Sequence, residues 1–336
     1  MKTKQDVGSV IVSSRVRLAR NLEGIPFKTK EAGALSSVAE TIKKSDPGFS
    51  VERISELGAA KSQALFEQHL ISRELLENKN GIALLRAGEE NNTKRICVMI
   101  GEEDHIRVQV IDLGLNLRGI FDSAFTISNE INKKHNVAFS NEIGYLTSCP
   151  TNLGTGMRAS VMLFLPALTK TGRIDAIANM LRADHITVRG THGEGSEAGG
   201  YMYQISNQSC LGMSEQQILE KVERVAVELA QLELTLHAEL MKNNPDEIKN
   251  QVMISLGILT HAHMISSAQA VDNLAWLKLG DCLGIVRFKK RILDDLFFII
   301  QPATLAIENE KAGKVVERDK LRASKIARIL NSSRIK

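Results

Sequence analysis

Two short stretches alternate strictly between charged or polar and aliphatic side chains, and that alternation limits the fold more than any other feature. In Ser14-Arg15-Val16-Arg17-Leu18 an extended strand puts Arg15 and Arg17 on one face and Val16 and Leu18 on the other. Arg107 and Gln109 share a face opposite Ile106 and Val108 in the same way. Ile96 to Ile100 is apolar on both faces and reads as a buried strand. Ala159 to Leu165 is another apolar run with Arg158 at its mouth, and His185 to Arg189 a further one that ends in a glycine-rich loop. These strands follow one another without regular helical crossovers. The expected class is therefore α+β, an antiparallel sheet flanked by helices.

The period changes after residue 212. Ser214 and Gln217 form a capping box, and Ile218, Val222, Val225, Leu229 and Leu232 recur at helical spacing. Asn244-Pro245 ends that helix, a second starts near Asp246, and a third runs from Ser266-Ser267 through Trp276. With 336 residues the chain exceeds one ordinary core, which predicts two domains: residues 1–225 with the sheet and residues 226–336 mainly helical.

Composition removes several function classes. No apolar run approaches the roughly 18 residues of a membrane span. A formal charge of +4, with three Tyr and one Trp, argues against direct nucleic-acid binding. The start lacks the apolar core of a signal peptide, so the expected compartment is the cytoplasm. Cys97, Cys149, Cys210 and Cys282 form no C-x-x-C pair and are expected as free thiols.

Five constellations carry chemistry. Arg15, Arg17, Arg107, Arg158 and Arg189 at strand ends supply permanently charged planar forks that suit polyphosphate oxygens. There is no Walker A pattern and no dinucleotide glycine fingerprint, so a nucleotide site here is of another type. Gly101-Glu102-Glu103-Asp104-His105 gathers three carboxylates that suit a metal, a proton or a cationic substrate, or else an acidic turn in water. Thr147 to Arg158 joins Cys149 to two glycines and an arginine, a setting that favours a thiolate. Arg189 to Gly200, with its many glycines, two glutamates and a histidine, suits a lid or simply a flexible loop. Arg318 and Arg322 lie one helical turn apart in Arg318-Asp319-Lys320-Leu321-Arg322-Ala323 and read as an anion clamp or a solvated basic helix end.

Together these segments resemble the phosphagen kinases, which phosphorylate guanidino compounds. The similarity covers Ser13 to Arg20, the Glu102-Glu103-Asp104-His105 turn, Cys149 to Gly156 with Arg158, and residues 193–198, in the family's order and at compatible spacing. Gly101 stands where the family usually has Asn. His192 stands where the metabolite kinases have an ATP-binding Arg. Two features resemble the bacterial protein-arginine kinase branch. The arginine strand begins within the first twenty residues, without the helical domain of roughly a hundred residues that precedes it in metabolite kinases. The segment from Arg318 to Ala323 fits that branch's RDxxRA pattern, and the stretch from Gly257 to Gly280 looks like its helical domain.

The resemblance implies ATP-dependent phosphorylation of arginine side chains in proteins, linked to regulated degradation or to stress-response regulators. It implies that ATP, with Mg²⁺ bound through the nucleotide rather than by a protein-built metal site, meets Ser13, Ser14, Arg15, Val16, Arg17, His69, Arg107, Arg158, Ala159, Ser160, Val161, Met162, Arg189, Gly190, Thr191, His192, Gly193 and Glu194. Glu103 and Glu197 would hold the target guanidinium, with Cys149 touching it as a thiolate. Arg318, Asp319, Arg322 and Ala323 would bind phosphoarginine as an allosteric ligand. Implied partners are protein substrates with exposed arginine, an activator protein, a Clp-type ATP-dependent protease and a second copy in a homodimer. Two alternatives remain open at this point: a kinase for a small guanidino metabolite such as free arginine, and a non-catalytic phosphoarginine-binding adaptor.

Overall fold

The structure is a computed structural model that describes residues 7–27, 32–88, 93–190, 199–309 and 313–335. Its strands are β1 (Ile11–Arg20), β2 (Ser50–Arg53), β3 (Ile82–Arg86), β4 (Arg95–Ile100), β5 (Ile106–Leu113), β6 (Phe139–Ser140), β7 (Gly144–Tyr145), β8 (Met157–Phe164), β9 (Ile186–Gly190) and β10 (Met202–Asn207). The helices around the sheet are α1 (Ala32–Ser45), α2 (Ala59–Glu67), α3 (Arg73–Glu77), α4 (Leu117–Lys134), α5 (Pro166–Lys170), α6 (Ile174–Ala183) and α7 (Glu215–Asn243). After them come α8 (Pro245–His261), α9 (Ser267–Cys282), α10 (Ile292–Ile299), α11 (Pro302–Glu308) and α12 (Val315–Ser333).

Among the described residues eight strands form one sheet in the order β2-β3-β4-β5-β1-β8-β10-β9, and every pairing is antiparallel. This is the α+β architecture that the alternation predicts. The arginine strand β1 sits near the middle, paired with β5 on one side and β8 on the other.

The two faces of the sheet are covered differently. Val16, Leu18, Val108, Val110, Ala159, Val161 and Ile205 pack against Leu117, Ile120 and Ala124 of α4 and Ile218, Val222 and Ala226 of α7 in the main core. On the opposite face, α2 and α3 cover only the β3–β4 side, where Leu65, Ile71 and Leu75 bury Ala83, Cys97 and Met99. The face over β5, β1, β8, β10 and β9 keeps its polar side chains, and there the site forms.

The helical expectations hold at α7, which opens on the Ser214–Gln217 capping box and ends at Asn243 before Pro245. They hold again at α9, capped by Ser266. Position 225, the expected domain boundary, falls inside α7, whose buried side chains stay in the sheet's core as far as Leu236. The second core starts at Ile248 in α8 and is built with α9, α10 and α12, so the change of core falls at the Asn244-Pro245 junction. Val12, Phe164 and Met202 of the sheet belong to this second core, so the helices are docked on the sheet. A polar clasp adds to the contact. The Glu67 carboxylate accepts from Ala303 N and Thr304 N, each at 3.0 Å, at the N-terminus of α11, where the helix dipole favours a negative charge.

Candidate active site

The register of the sheet assembles the arginines. Across β1, Arg17 is opposite Gln109 on β5 and Arg158 on β8, and Arg15 is opposite Ile111 and Ser160. Ser13 pairs with Met162, which in turn faces Gln204, the partner of Arg189 on β9. Arg107 lies one pair further on, beside Ala19. Residues from five strands thus form one continuous polar strip, because directly opposed residues in an antiparallel pair project to the same side.

The cations on this strip strain one another. Arg15 has its pKa pushed down to about 10, first by burial and then by the neighbouring Arg107 and Arg158 charges. Burial, then Arg15, Arg107 and Arg158, push Arg17 well below the ordinary value, with Glu102 opposing. Arg158 is lowered by burial and then by Arg189. The Nε atoms of Arg17 and Arg158 are buried and meet no hydrogen-bond acceptor. A half-buried cluster of like charges with donors unpaired by the protein suits an anion with several oxygens, such as a triphosphate.

One end of the strip meets the acidic turn. Gly101 adopts φ +81°, the left-handed region in which Gly, and after it Asn, is most at ease. That accounts for Gly at a position where the resemblance usually implies Asn: both suit the same backbone. Of the three carboxylates only one faces the cleft. Glu102 is buried and paired with Arg107, and burial raises its pKa against the opposing pull of Arg107 and Ser72. Asp104 is fully buried, and its Oδ1 accepts from Asn21 Nδ2 at 2.8 Å and Ser148 N at 2.7 Å. His105 accepts from Leu22 N through Nδ1 and donates through Nε2 to Pro26 O, which fixes the neutral tautomer. Glu103 alone keeps a third of its side chain exposed, 4.0 Å from Arg107 Nη2. The turn is therefore not an acidic loop in water: Glu102, Asp104 and His105 are internal ties that aim Glu103.

Ser148 joins the cysteine segment to that turn, its Oγ donating to Glu103 O at 2.8 Å. Cys149, half-buried, follows directly, with its Sγ 3.0 Å from Thr151 Oγ1. Gly156, at φ +64°, brings this segment against β1, where its carbonyl accepts from Ala19 N at 2.8 Å. A Cβ at Gly156 would stand 2.7 Å from Ala19 O, so glycine is required by close approach as well as by angle.

The other end of the strip is a cavity of about 200 Å³, lined among others by Ser13, Met162, His69, Arg95, Gly190 and Phe298. His69 is held at φ 58°, and its carbonyl accepts from Gln109 Nε2 at 2.8 Å. Of the positions named from the sequence, Ser13, Arg15, Arg17, His69, Arg107, Arg158, Ser160, Met162, Arg189 and Gly190 are brought to this strip and its cavity. Four are not. Val16, Ala159 and Val161 point into the main core, and Ser14 is buried there too, its Oγ donating to Gly114 O and accepting from Asn116 N. Alternation along the strand turns their side chains away, a correction to reading the segments as unbroken contacts. Thr191, His192, Gly193, Glu194 and Glu197 lie outside the described residues. The sequence reading did not select Arg95, Ile111, Gln204 and Phe298, which also line the cavity.

Comparison with known proteins decides the family. Residues 32–236 match the ATP:guanido phosphotransferase C-terminal catalytic domain. The chain belongs to the ATP:guanido phosphotransferase family. Residues 245–335 match a second family, the C-terminal domain of the protein-arginine kinase McsB. The protein-arginine kinase of Caldanaerobacter subterraneus subsp. tengcongensis is 41% identical over 334 residues, 96% of this chain and 97% of its own. That of Bacillus subtilis is 38% identical, over 97% of this chain and 91% of its own. The fold is similar to the substrate-free duplicated taurocyamine kinase of Schistosoma mansoni, with a TM-score of 0.59 at 23% identity, covering 84% of this chain and 48% of that one. A member of this family uses ATP as phosphoryl donor, and the unmet guanidinium donors on the strip suit its phosphates. Among the described residues no helix is long and apolar enough to cross a membrane.

The C-terminal cluster departs from the two-fork clamp. Arg322 is 1% exposed; its Nε donates to Ile300 O at 3.0 Å, and its Nη1 donates to Ile265 O at 2.8 Å and Asp319 Oδ1 at 2.5 Å. Ala323 is buried beside it. Arg318 is half-buried and donates to Gly313 O at 3.1 Å. The two guanidinium groups do not converge on one free site, because Arg322 ties α12 to the start of α9 and the end of α10.

Proposed function

We propose that the protein transfers the γ-phosphoryl group of ATP to arginine side chains of protein substrates. The observation that carries this reading is the pair of buried, partnerless guanidinium nitrogens on Arg17 and Arg158, next to a turn that exposes one carboxylate, Glu103. Cations that repel one another favour a polyanion, and a lone carboxylate at its end favours a cationic acceptor. The match of residues 245–335 and the protein-arginine kinase names of the full-length relatives support a protein-borne acceptor.

In this reading the triphosphate lies along β1, with its terminal phosphate by Arg17, Arg107 and Arg158. The family resemblance implies that Mg²⁺ would arrive bound to the nucleotide. It would add charge neutralisation, while the arginines position the phosphates. The acceptor guanidinium is a poor nucleophile because it is protonated at every physiological pH. Glu103 accepts hydrogen bonds from it, fixes one nitrogen in line with the terminal phosphorus and takes its proton as the N–P bond forms and the O–P bond to ADP breaks. Glu197 is the second carboxylate and Cys149 the thiolate contact that the family resemblance implies.

An activator, a Clp-type protease that consumes the marked proteins, a cytoplasmic setting and the phosphoarginine ligand of Arg318 and Asp319 complete the proposal. So does a homodimer, supported by the exposed apolar side chains of Met253, Ile254 and Ile258 on α8. Incubation with ATP and an unfolded protein, followed by detection of phosphoarginine, tests the central step.

A further inference from the structure

The strip runs from an end dominated by charges to a cavity that mixes polar side chains with Ile111, Met162 and Phe298. At the Arg17 end the neighbours are Arg107, Arg158 and the Glu103 turn. Two pairs away, at Ser13, the neighbours are Ile111, Met162, His69 and Phe298 around the cavity. A nucleotide whose terminal phosphate is at the first end must put its base at the second.

Phe298 comes from α10, in the C-terminal helical region, and two facts set it apart. Its neighbour Phe297 is buried in the second core, whereas Phe298 is half-buried and belongs to none of the hydrophobic clusters. Its recorded ring contacts are polar-edged: the His69 ring at 6.0 Å and 87°, and the Arg95 guanidinium 5.8 Å from its centroid. An aromatic ring spared by the core, set perpendicular to a second ring beside a cavity, makes a corner that takes a flat heterocycle. The heterocycle stacks on one wall and offers its edge to the other. Arg95 adds a donor fork to the same corner; burial lowers its pKa, against the pull of Asp295, also on α10.

We infer that Phe298, with His69 and Arg95, forms the slot for the nucleotide base, so that the C-terminal helical region supplies one wall of the ATP site. Glu67 explains how that wall keeps its place. It binds the N-terminus of α11 immediately after α10, and it lies two residues before His69. One short segment of the sheet domain therefore carries both the His69 wall and the anchor of the Phe298 wall. The catalytic sheet and the helical region act as one binding unit for the nucleotide.

This inference rests on the phosphates lying along the arginine strip, and the test separates the two. Calorimetry on the full chain would compare ATP with inorganic tripolyphosphate, which has the charge but no base. For Phe298→Ala we expect ATP affinity to fall about tenfold, the scale of one lost base–aromatic stack, and tripolyphosphate affinity to stay unchanged. Phe298→Tyr should restore ATP binding, and Phe298→Leu, which keeps bulk without a π face, should not. Unchanged ATP affinity in Phe298→Ala and Phe298→Leu, or equal losses for ATP and tripolyphosphate, would overturn the slot while leaving the strip intact. Failure of tripolyphosphate to bind the wild type would overturn the strip and the slot with it.

Discussion

Replacing Arg15 by Met should make the ligand-free protein more stable while removing most of its response to ATP. Burial and the charges of Arg107 and Arg158 push the Arg15 pKa down to about 10. Each tenfold change in ionisation corresponds to about 1.4 kcal/mol, so the charge costs roughly 3 kcal/mol in the fold, reduced to about 1–2 kcal/mol by water at the open face. The sign follows from the direction: a cation with a depressed folded-state pKa is charged in both states at neutral pH. The cost is thus constant there and is relieved only as pH rises through about 10 and beyond, where the folded form loses its proton first. Met keeps the length of the aliphatic stem and deletes the charge. The melting temperature of the free variant should rise by about 1–3 °C. The wild type at a hundredfold excess of ATP over its Kd should gain about 2.7 kcal/mol from binding, and the variant should lose most of that gain. Differential scanning calorimetry with and without ATP measures both. A free variant less stable than the wild type, or an undiminished ATP response, would refute the claim that mutual repulsion on this strip is held in reserve for a polyanion.

Glu103→Gln should lower turnover by about a hundredfold with ATP affinity near normal, measured by steady-state kinetics beside calorimetry, because the fold keeps Glu102 and Asp104 as ties and leaves Glu103 as the exposed carboxylate. A thiol reagent should label Cys149 first, with the order read by mass spectrometry and slowed by ATP plus substrate. Burial pushes the thiols of Cys97 and Cys210 up and that of Cys282 to about 11, while Cys149 is half-buried. Arg322→Ala should destabilise the helical region by about 3 kcal/mol in urea unfolding, since it leaves Asp319 unpaired and two carbonyls unmet, whereas Arg318→Ala should cost less than about 0.5 kcal/mol. Arg318→Ala is therefore the cleaner variant with which to follow phosphoarginine binding.

What the sequence revealed and what it concealed divide along physical lines. Alternation in β1 and β5 exposed the arginine face, because a strand's side-chain period is set by its own backbone. The same rule, applied residue by residue, would have removed Ser14, Val16, Ala159 and Val161 from the contacts. The capping box at Ser214 marked the start of α7 and the Ser266-Ser267 pair that of α9, since caps are local. Arg95 escaped notice because its role depends on β4 lying next to β5, a pairing no local pattern encodes. Phe298 escaped for a stronger reason: it sits in an apolar run beside Phe297, and only the docking of α10 against the sheet separates the core ring from the cavity ring. Arg322 read as a surface cation because helical spacing gives the face of a residue but not what covers that face. The acidic turn misled in the same way, as two of its three carboxylates are buried against partners far away in sequence, Arg107 aside.

The central claim is that ATP's terminal phosphate passes to arginine side chains in proteins. The most direct measurement is to incubate the full chain with ATP and Mg²⁺, giving it either an unfolded arginine-rich protein or free arginine at equal guanidinium concentration. ADP release and acid-labile phosphoarginine are then followed together, the latter by ³¹P NMR and mass spectrometry. The account predicts matched formation of ADP and phosphoarginine on the protein, little on free arginine, and loss of both products in Glu103→Gln. Phosphorylation of free arginine alone would contradict it in favour of a metabolite kinase, and phosphoarginine on neither acceptor would contradict the assignment of the strip as a phosphoryl-transfer site.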